Sequence, residues 1–197
     1  MRRMDIKPLK KLRNPGRHLR SLKRWAAAAD QDLPPRDELE TWEGRECRVR
    51  LPFYSKLTAA AHTTPEIRRE VAQTVLDAAA TIRARLALSR PVRIACLIIA
   101  EDLWHAEIDL FFDDDYFETF RPPRKYSRHV NGAYTVTTWP ATINLVRDWQ
   151  LSVPEGFLDY GGYRMVVEEE DYPPGTTDMN HWLIAEPSMR GGRGPGG

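Results

Sequence analysis

The chain lacks most of the features that would declare a chemistry. No apolar run approaches the roughly 18 to 20 residues that a membrane span needs, and nothing near the start resembles the apolar core of a signal peptide. The stretch "WAAAA" after Lys23 and Arg24 is too short and too weakly apolar to serve as either. Only two cysteines occur in 197 residues. Cys47 and Cys96 each lie among apolar neighbours in a segment that reads as a strand, which suits buried reduced thiols better than a disulfide framework or a zinc site. Ser55, Ser89, Ser127, Ser152 and Ser188 lack the context of a nucleophile elbow. There is no glycine-rich phosphate loop, and neither cysteine sits in a motif that lowers its pKa. No catalytic residue and no cofactor is expected, and the chain reads as a soluble cytoplasmic protein with no membrane partner.

What is present suffices for a core. Hydrophobic residues make up 42% of the chain and aromatic residues 10%, enough for one domain with ragged ends. The net charge of +1 conceals an asymmetry. Residues 1–24 carry ten Lys or Arg against the single Asp5, which leaves 19 basic and 27 acidic residues for 25–197, a net −8. A basic leader over 1–17, one domain over 18–187 and a disordered tail over 188–197, ending "RGGRGPGG", are the expected divisions. The leader is read first as a solvated arm. Through residues 1–24 it is also open to contact with nucleic acid.

Along the domain, Pro15 and Gly16 are expected to hold off helix until "RHLRSLKRWAAAA", where Leu19, Leu22, Trp25 and Ala26 form an apolar stripe. "ECRVRLPF" alternates, with Cys47, Val49 and Leu51 on one side and Arg48 and Arg50 on the other, as a half-buried strand does. A long helix is predicted over Pro65 to Leu88, opened by Thr63 or Thr64 as N-cap with Pro65 in the first turn. Its stripe is Ile67, Val71, Val75, Ala79, Ile82 and Leu86. "VRIACLIIA" is apolar throughout and reads as a strand covered on both faces. Then comes a strand with Trp104, Ala106, Ile108, Leu110 and Phe112 turned inward and His105, Glu107 and Asp109 toward water.

Beyond Phe120 a basic loop "RPPRKYSRHVNG", a short helix from Pro140 to Trp149, a turn at "VPEGF" and strands "YRMVVEE" and "HWLIAE" are expected. "DYGGYR" reads as a turn at a strand edge. The tryptophans beside these elements are assigned to packing. The order strand, helix, strand, strand, helix, strand is that of the split βαβ arrangement of ferredoxin-like domains. With an extra helix in front and a surplus strand behind, the expectation is an α+β domain: a mainly antiparallel sheet, one long helix packed on it, and an N-terminal helix.

Three groups of residues are candidates for function. His105, Glu107 and Asp109 have the ligand types of a divalent metal, and a metal-assisted enzyme would use them; a solvated strand face has the same pattern. Asp113, Asp114, Asp115 and Glu118 follow that strand without the spacing of a calcium loop. Asp115 is expected to cap a helix "YFETF", and the run forms part of an acidic surface that would steer a basic protein partner. Arg124, Lys125 and Tyr126 make a basic aromatic loop of the kind that stacks on bases or pairs with phosphates.

Taken together, "SLKRW", "RVRLPFYSKL", "TPEIRREVAQTVLDAA", "DLWHAEIDLFFDDDYF" and "DWQLSVPEGF" resemble, in order and spacing, the bacterial domain-of-unknown-function family numbered 3916, over most of residues 19 to 170. The resemblance rests on the Thr-Pro helix start, the Leu-Trp strand entry and the Pro-x-Gly-Phe turn. It implies a bacterial cytoplasmic protein and lends no residue a role. A noncatalytic binding protein with an acidic face, by analogy with small immunity or inhibitor proteins, is the first functional expectation. A nucleic-acid-associated protein and a metal-assisted enzyme are the alternatives.

Overall fold

The computed structural model describes residues 14–52, 64–101, 105–120, 128–131, 134–140, 144–168 and 177–185. Helix α1 spans Pro15–Ala26 and starts earlier than expected. Asn14, in the left-handed region, caps it by accepting from the Arg17 N–H, and Pro15 takes the first helical position, where a missing N–H costs nothing. A 3-10 turn (Ala29–Asp32) and the short α2 (Arg36–Glu40) lead to β1, Glu46–Val49.

Helix α3, Pro65–Arg85, stops at Arg85 and not at the expected Leu88, since Leu86 is already extended; Thr64 is its cap, with Glu66 in the first turn and Arg83 and Arg85 in the last, each charge matched to the nearer end of the helix dipole. Its buried face is wider than the single stripe read from the sequence. Ala72, Leu76 and Ala78 are as fully buried as Val71, Val75, Ala79 and Ile82. The reason is that α3 is packed on two sides, against α1 through Leu22 and Ala26 and against the sheet. Each fully buried Val, Leu or Ile contributes about 1.5–3 kcal/mol. Lys23 to Glu70 at 2.5 Å and Arg85 to Asp30 at 2.9 Å tie the helical layer together at its rim.

The remaining elements are β2 (Arg93–Glu101), β3 (His105–Phe111), α4 (Asp114–Phe120), β4 (Arg128–Asn131), β5 (Tyr134–Pro140), the single turn α5 (Leu145–Asp148), β6 (Phe157–Glu168) and β7 (Thr177–Ala185). The strands form one sheet in the order β1-β3-β2-β7-β6-β5-β4, every neighbouring pair antiparallel. The unit β1-α3-β2 with β3 inserted between its strands is a split βαβ, as the element order suggested. A second such unit would return a strand to the outer side of β1, whereas the later strands extend the sheet from β2.

The β2 side chains Ile94, Cys96 and Ile98 point into the α3 core, and Ala95 and Leu97 point to the opposite face with Phe111, Phe117, Trp182 and Ile184. That accounts for a strand apolar at nearly every position. Both cysteines are free and buried, and burial pushes both thiols up from their ordinary pKa. The Glu46 carbonyl of the edge strand β1 accepts the Trp42 indole N–H at 3.1 Å, which occupies a group that would otherwise invite another strand. Gly44 permits this approach, since a Cβ there would fall 2.5 Å from the indole nitrogen.

Several expectations need correction beyond Phe120. Arg128–Asn131 and Tyr134–Pro140 are paired strands, so "RHVNG" is not all loop, and Pro140 ends a strand and does not open a helix. The helix there is confined to Leu145–Asp148, capped by Asn144. "DYGGYR" lies within β6, an interior strand flanked by β5 and β7. It contains a bulge between Asp159 and Gly161, the latter at φ +83°.

Candidate binding surface

Strand β3 carries Glu107 and Asp109 on the face away from α3. Its register sets Asp109 opposite Arg48 of β1 on one side and Ala95 of β2 on the other. The Arg48 Nε lies 2.8 Å from Asp109 Oδ1 and 3.0 Å from Glu107 Oε2. One guanidinium thus sits between two of the three side chains with metal-ligand chemistry. The side chain of His105, the third, lies outside the described residues. No group of His, Cys, Asp and Glu among the described residues has the geometry to hold a metal ion.

Asp109 does not face water. It is 2% exposed, because β3 is flanked by strands on both sides and α4 folds back over the same face. Burial raises its pKa, Arg48 pulls it down, and Glu107 and Glu46 push it up again, to about 6. Burial also opposes the charge on Arg48, yet the bond to Asp109 prevails and the pKa of Arg48 is raised. The carboxylate loses more than the guanidinium because desolvation falls unequally: Asp109 is enclosed, while the Arg48 side chain is 53% exposed.

The acidic run divides by task. Asp113, not Asp115, caps α4: its carboxylate accepts the Tyr116 N–H at 2.8 Å and its carbonyl accepts from Phe117. Asp114 pairs with Arg93 at 2.8 Å, and Arg45 approaches Asp113 at 3.9 Å while lying over the Tyr116 ring. Asp115 and Glu118 are exposed on α4. Arg45 also brings the start of β1 alongside, and Glu46 joins the same corner, where its charge adds to burial in raising the pKa of Tyr116. Among the described residues this corner gathers Glu46, Asp113, Asp114, Asp115 and Glu118 with the guanidiniums of Arg45, Arg48 and Arg93. Arg124, Lys125 and Tyr126 lie outside the described residues.

Sequence reasoning missed Arg45 and Arg48 as partners of these acids. Arg48 was visible as a polar position on an alternating strand, but which strand it would face was not. It also missed His181. This imidazole is 0% exposed on the α3 face of β7, opposite Gly162, with Nε2 2.7 Å from Asp159 Oδ1. The ring is turned so that neither nitrogen makes a well-directed hydrogen bond. The β6 bulge delivers Asp159 to it, and the Asp159 carboxylate also accepts the Gly161 N–H. Burial works against the Asp159 charge, but His181 and the Gly161 N–H together outweigh it and the carboxyl is held below its usual range.

Fold and corner together define an α+β protein with one antiparallel sheet, a helical layer on one face, and a short acidic helix on the other. The chain matches, over residues 23–186, the family described as Protein of unknown function (DUF3916), and belongs to that family. No curated protein and no solved structure matches it. No helix among the described residues is long and apolar enough to cross a membrane.

Proposed function

We propose that the chain is a noncatalytic binding protein of the bacterial cytoplasm whose α4–β1 corner receives a basic protein surface, in the manner of an immunity or inhibitor protein. The observation that carries this reading is the convergence of Glu46 and the run Asp113 through Glu118, from segments far apart in sequence, on one corner beside Arg45, Arg48 and Arg93. Such a field accelerates encounter with a cationic partner and suppresses anionic ones.

A Glu46→Gln/Asp115→Asn/Glu118→Gln chain tests it while sparing Asp113, which caps α4, and Asp114, which holds Arg93. Partners captured by the parent chain would be purified and their binding kinetics measured over a range of salt. Association should slow by about tenfold in the variant, with dissociation little changed. A partner that binds parent and variant alike, with no salt dependence, refutes the proposal.

A second reading draws support from α1, where Arg17, Arg20 and Arg24 are all exposed along one helix. Nucleic acid bound there would show an affinity falling steeply with salt, and Arg17→Gln/Arg20→Gln/Arg24→Gln would reduce the slope by about one for each phosphate no longer neutralised. Labelled DNA and RNA that migrate unshifted with the full chain at low salt exclude it.

A further inference from the structure

The 3-10 turn, α2 and the chain that leaves α3 enclose a partly open groove of about 190 Å³. A cavity of about 150 Å³ lined by apolar side chains takes up benzene, so this groove has room for one large apolar side chain. Its walls are Leu33, Pro34 and Leu39 from the α2 side and Leu86, Ala87 and Leu88 from the end of α3. Leu39 is buried and the other five are only half-buried, which leaves apolar surface in contact with water.

The main chain along one wall is also unoccupied. Leu86 is the last residue to donate into α3, to the Ile82 carbonyl, and it has already turned extended, with φ −71° and ψ 102°. Ser89 is fixed again, because Glu40 accepts its N–H at 2.8 Å and its hydroxyl at 2.5 Å. Between these two fixed ends the N–H and carbonyl groups of Ala87 and Leu88 meet no partner among the described residues. Unpaired main-chain groups beside apolar pockets are what an added peptide strand pairs with.

The charges at the rim are unequally engaged. Asp30 accepts from Arg85 Nη1 at 2.9 Å, and Glu40 is taken up by Ser89. Among the described residues Arg85 keeps its Nε and Nη2 donors free, and Arg36 reaches only Glu40, at 3.5 Å, longer than an ordinary hydrogen bond. The two guanidinium side chains are more than half exposed, whereas Asp30 and Glu40 are 25% and 22% exposed. The acids are therefore occupied and the cations retain donors, an arrangement that suits a carboxylate.

We propose that the groove binds the carboxy-terminal end of a peptide, with its last, large apolar side chain in the pocket, its main chain on Ala87 and Leu88, and its carboxylate on Arg36 and Arg85. The groove shares no residue with the acidic corner, so the inference stands without that reading. The probe is acetyl-Gly-Ala-Phe with a free carboxylate, titrated calorimetrically into the full chain. It should bind saturably and slow hydrogen exchange at the Ala87 and Leu88 amides. An amidated carboxy terminus should weaken binding by about tenfold through loss of a charged hydrogen bond, and alanine in place of the phenylalanine by at least about as much.

Arg36→Gln should weaken the free acid by about tenfold and leave the amidated peptide unchanged, a difference that a folding defect would not produce. Leu88→Asn, which puts a polar group into the wall, should weaken both peptides. Arg69→Gln, in the first turns of α3 and four turns from the groove, should bind as the parent does. Any of three results overturns the proposal: the free acid does not bind saturably, its amide binds as tightly, or 3-phenylpropionate binds as tightly and leaves the two amides exchanging as before. The last result would make the groove a site for a small carboxylate with no use for a peptide main chain.

Discussion

Replacing Asp109 by asparagine should remove a pH dependence that the parent chain carries between about pH 4 and pH 7. The folded pKa of Asp109 is about 6, raised above the unfolded value of about 3.9. A raised carboxyl favours the folded state while it is protonated. That contribution is complete below the unfolded pKa and is lost as pH rises through the folded one. The gap between the two values corresponds to about 3 kcal/mol. Urea unfolding of parent and Asp109→Asn at pH 4, 5, 6 and 7 gives the difference between them at each pH, which cancels the other carboxyls. The variant should gain on the parent by up to about 3 kcal/mol across that range. Arg48 is not stranded by the change, since its side chain is half exposed and keeps Glu107 at 3.0 Å. A difference that stays constant with pH would show that Asp109 is hydrated and ionised like a surface carboxylate.

Phe117→Ala should cost about 3–5 kcal/mol, the range for truncating a buried aromatic. Phe117 is 1% exposed, meets Phe111 edge-on at 5.2 Å and lies under the Arg93 guanidinium at 5.0 Å. Helix α4 has only seven residues, too few to persist without tertiary packing. The variant should therefore lose amide protection in α4 while the β2–β7 ladder keeps its own. The binding proposed for the acidic corner should fall with it, because Asp115 and Glu118 depend on α4 for their positions. A destabilisation below about 1 kcal/mol, with α4 amides still protected, would mean that the helix is held by something other than this ring.

The two predictions concern the same face of the sheet, and that face is where sequence reasoning was weakest. Alternation along Ala106, Ile108 and Leu110 identified the strand and its inward side correctly. It also assigned Glu107 and Asp109 to water, because period two distinguishes the two faces of a strand without saying whether the second face is covered. Covering it required Phe117, the short helix that carries it and a neighbour on each side of β3, and only the pairing supplied those. The hairpin β4–β5 was lost for a related reason. "YTVTTW" has the β-branched and aromatic character of a strand, yet the prolines and arginines before it and Pro140 after it drew the reading toward loop and helix start.

By itself the sequence determined the α+β class, the start of α3 through Thr64 and Pro65, the burial of β2 on both faces, and the fate of its two thiols. Those features follow from local chemistry: a cap, a period, an apolar run. The tertiary structure decided which charges meet. Arg48 is 61 positions from Asp109, Arg83 reaches the Gly156 turn, and Asp159 reaches His181 across a bulge. Side-chain periodicity fixes a direction in space relative to its own strand or helix, whereas a pair of charges is fixed by register between elements, and register is a property of the folded sheet.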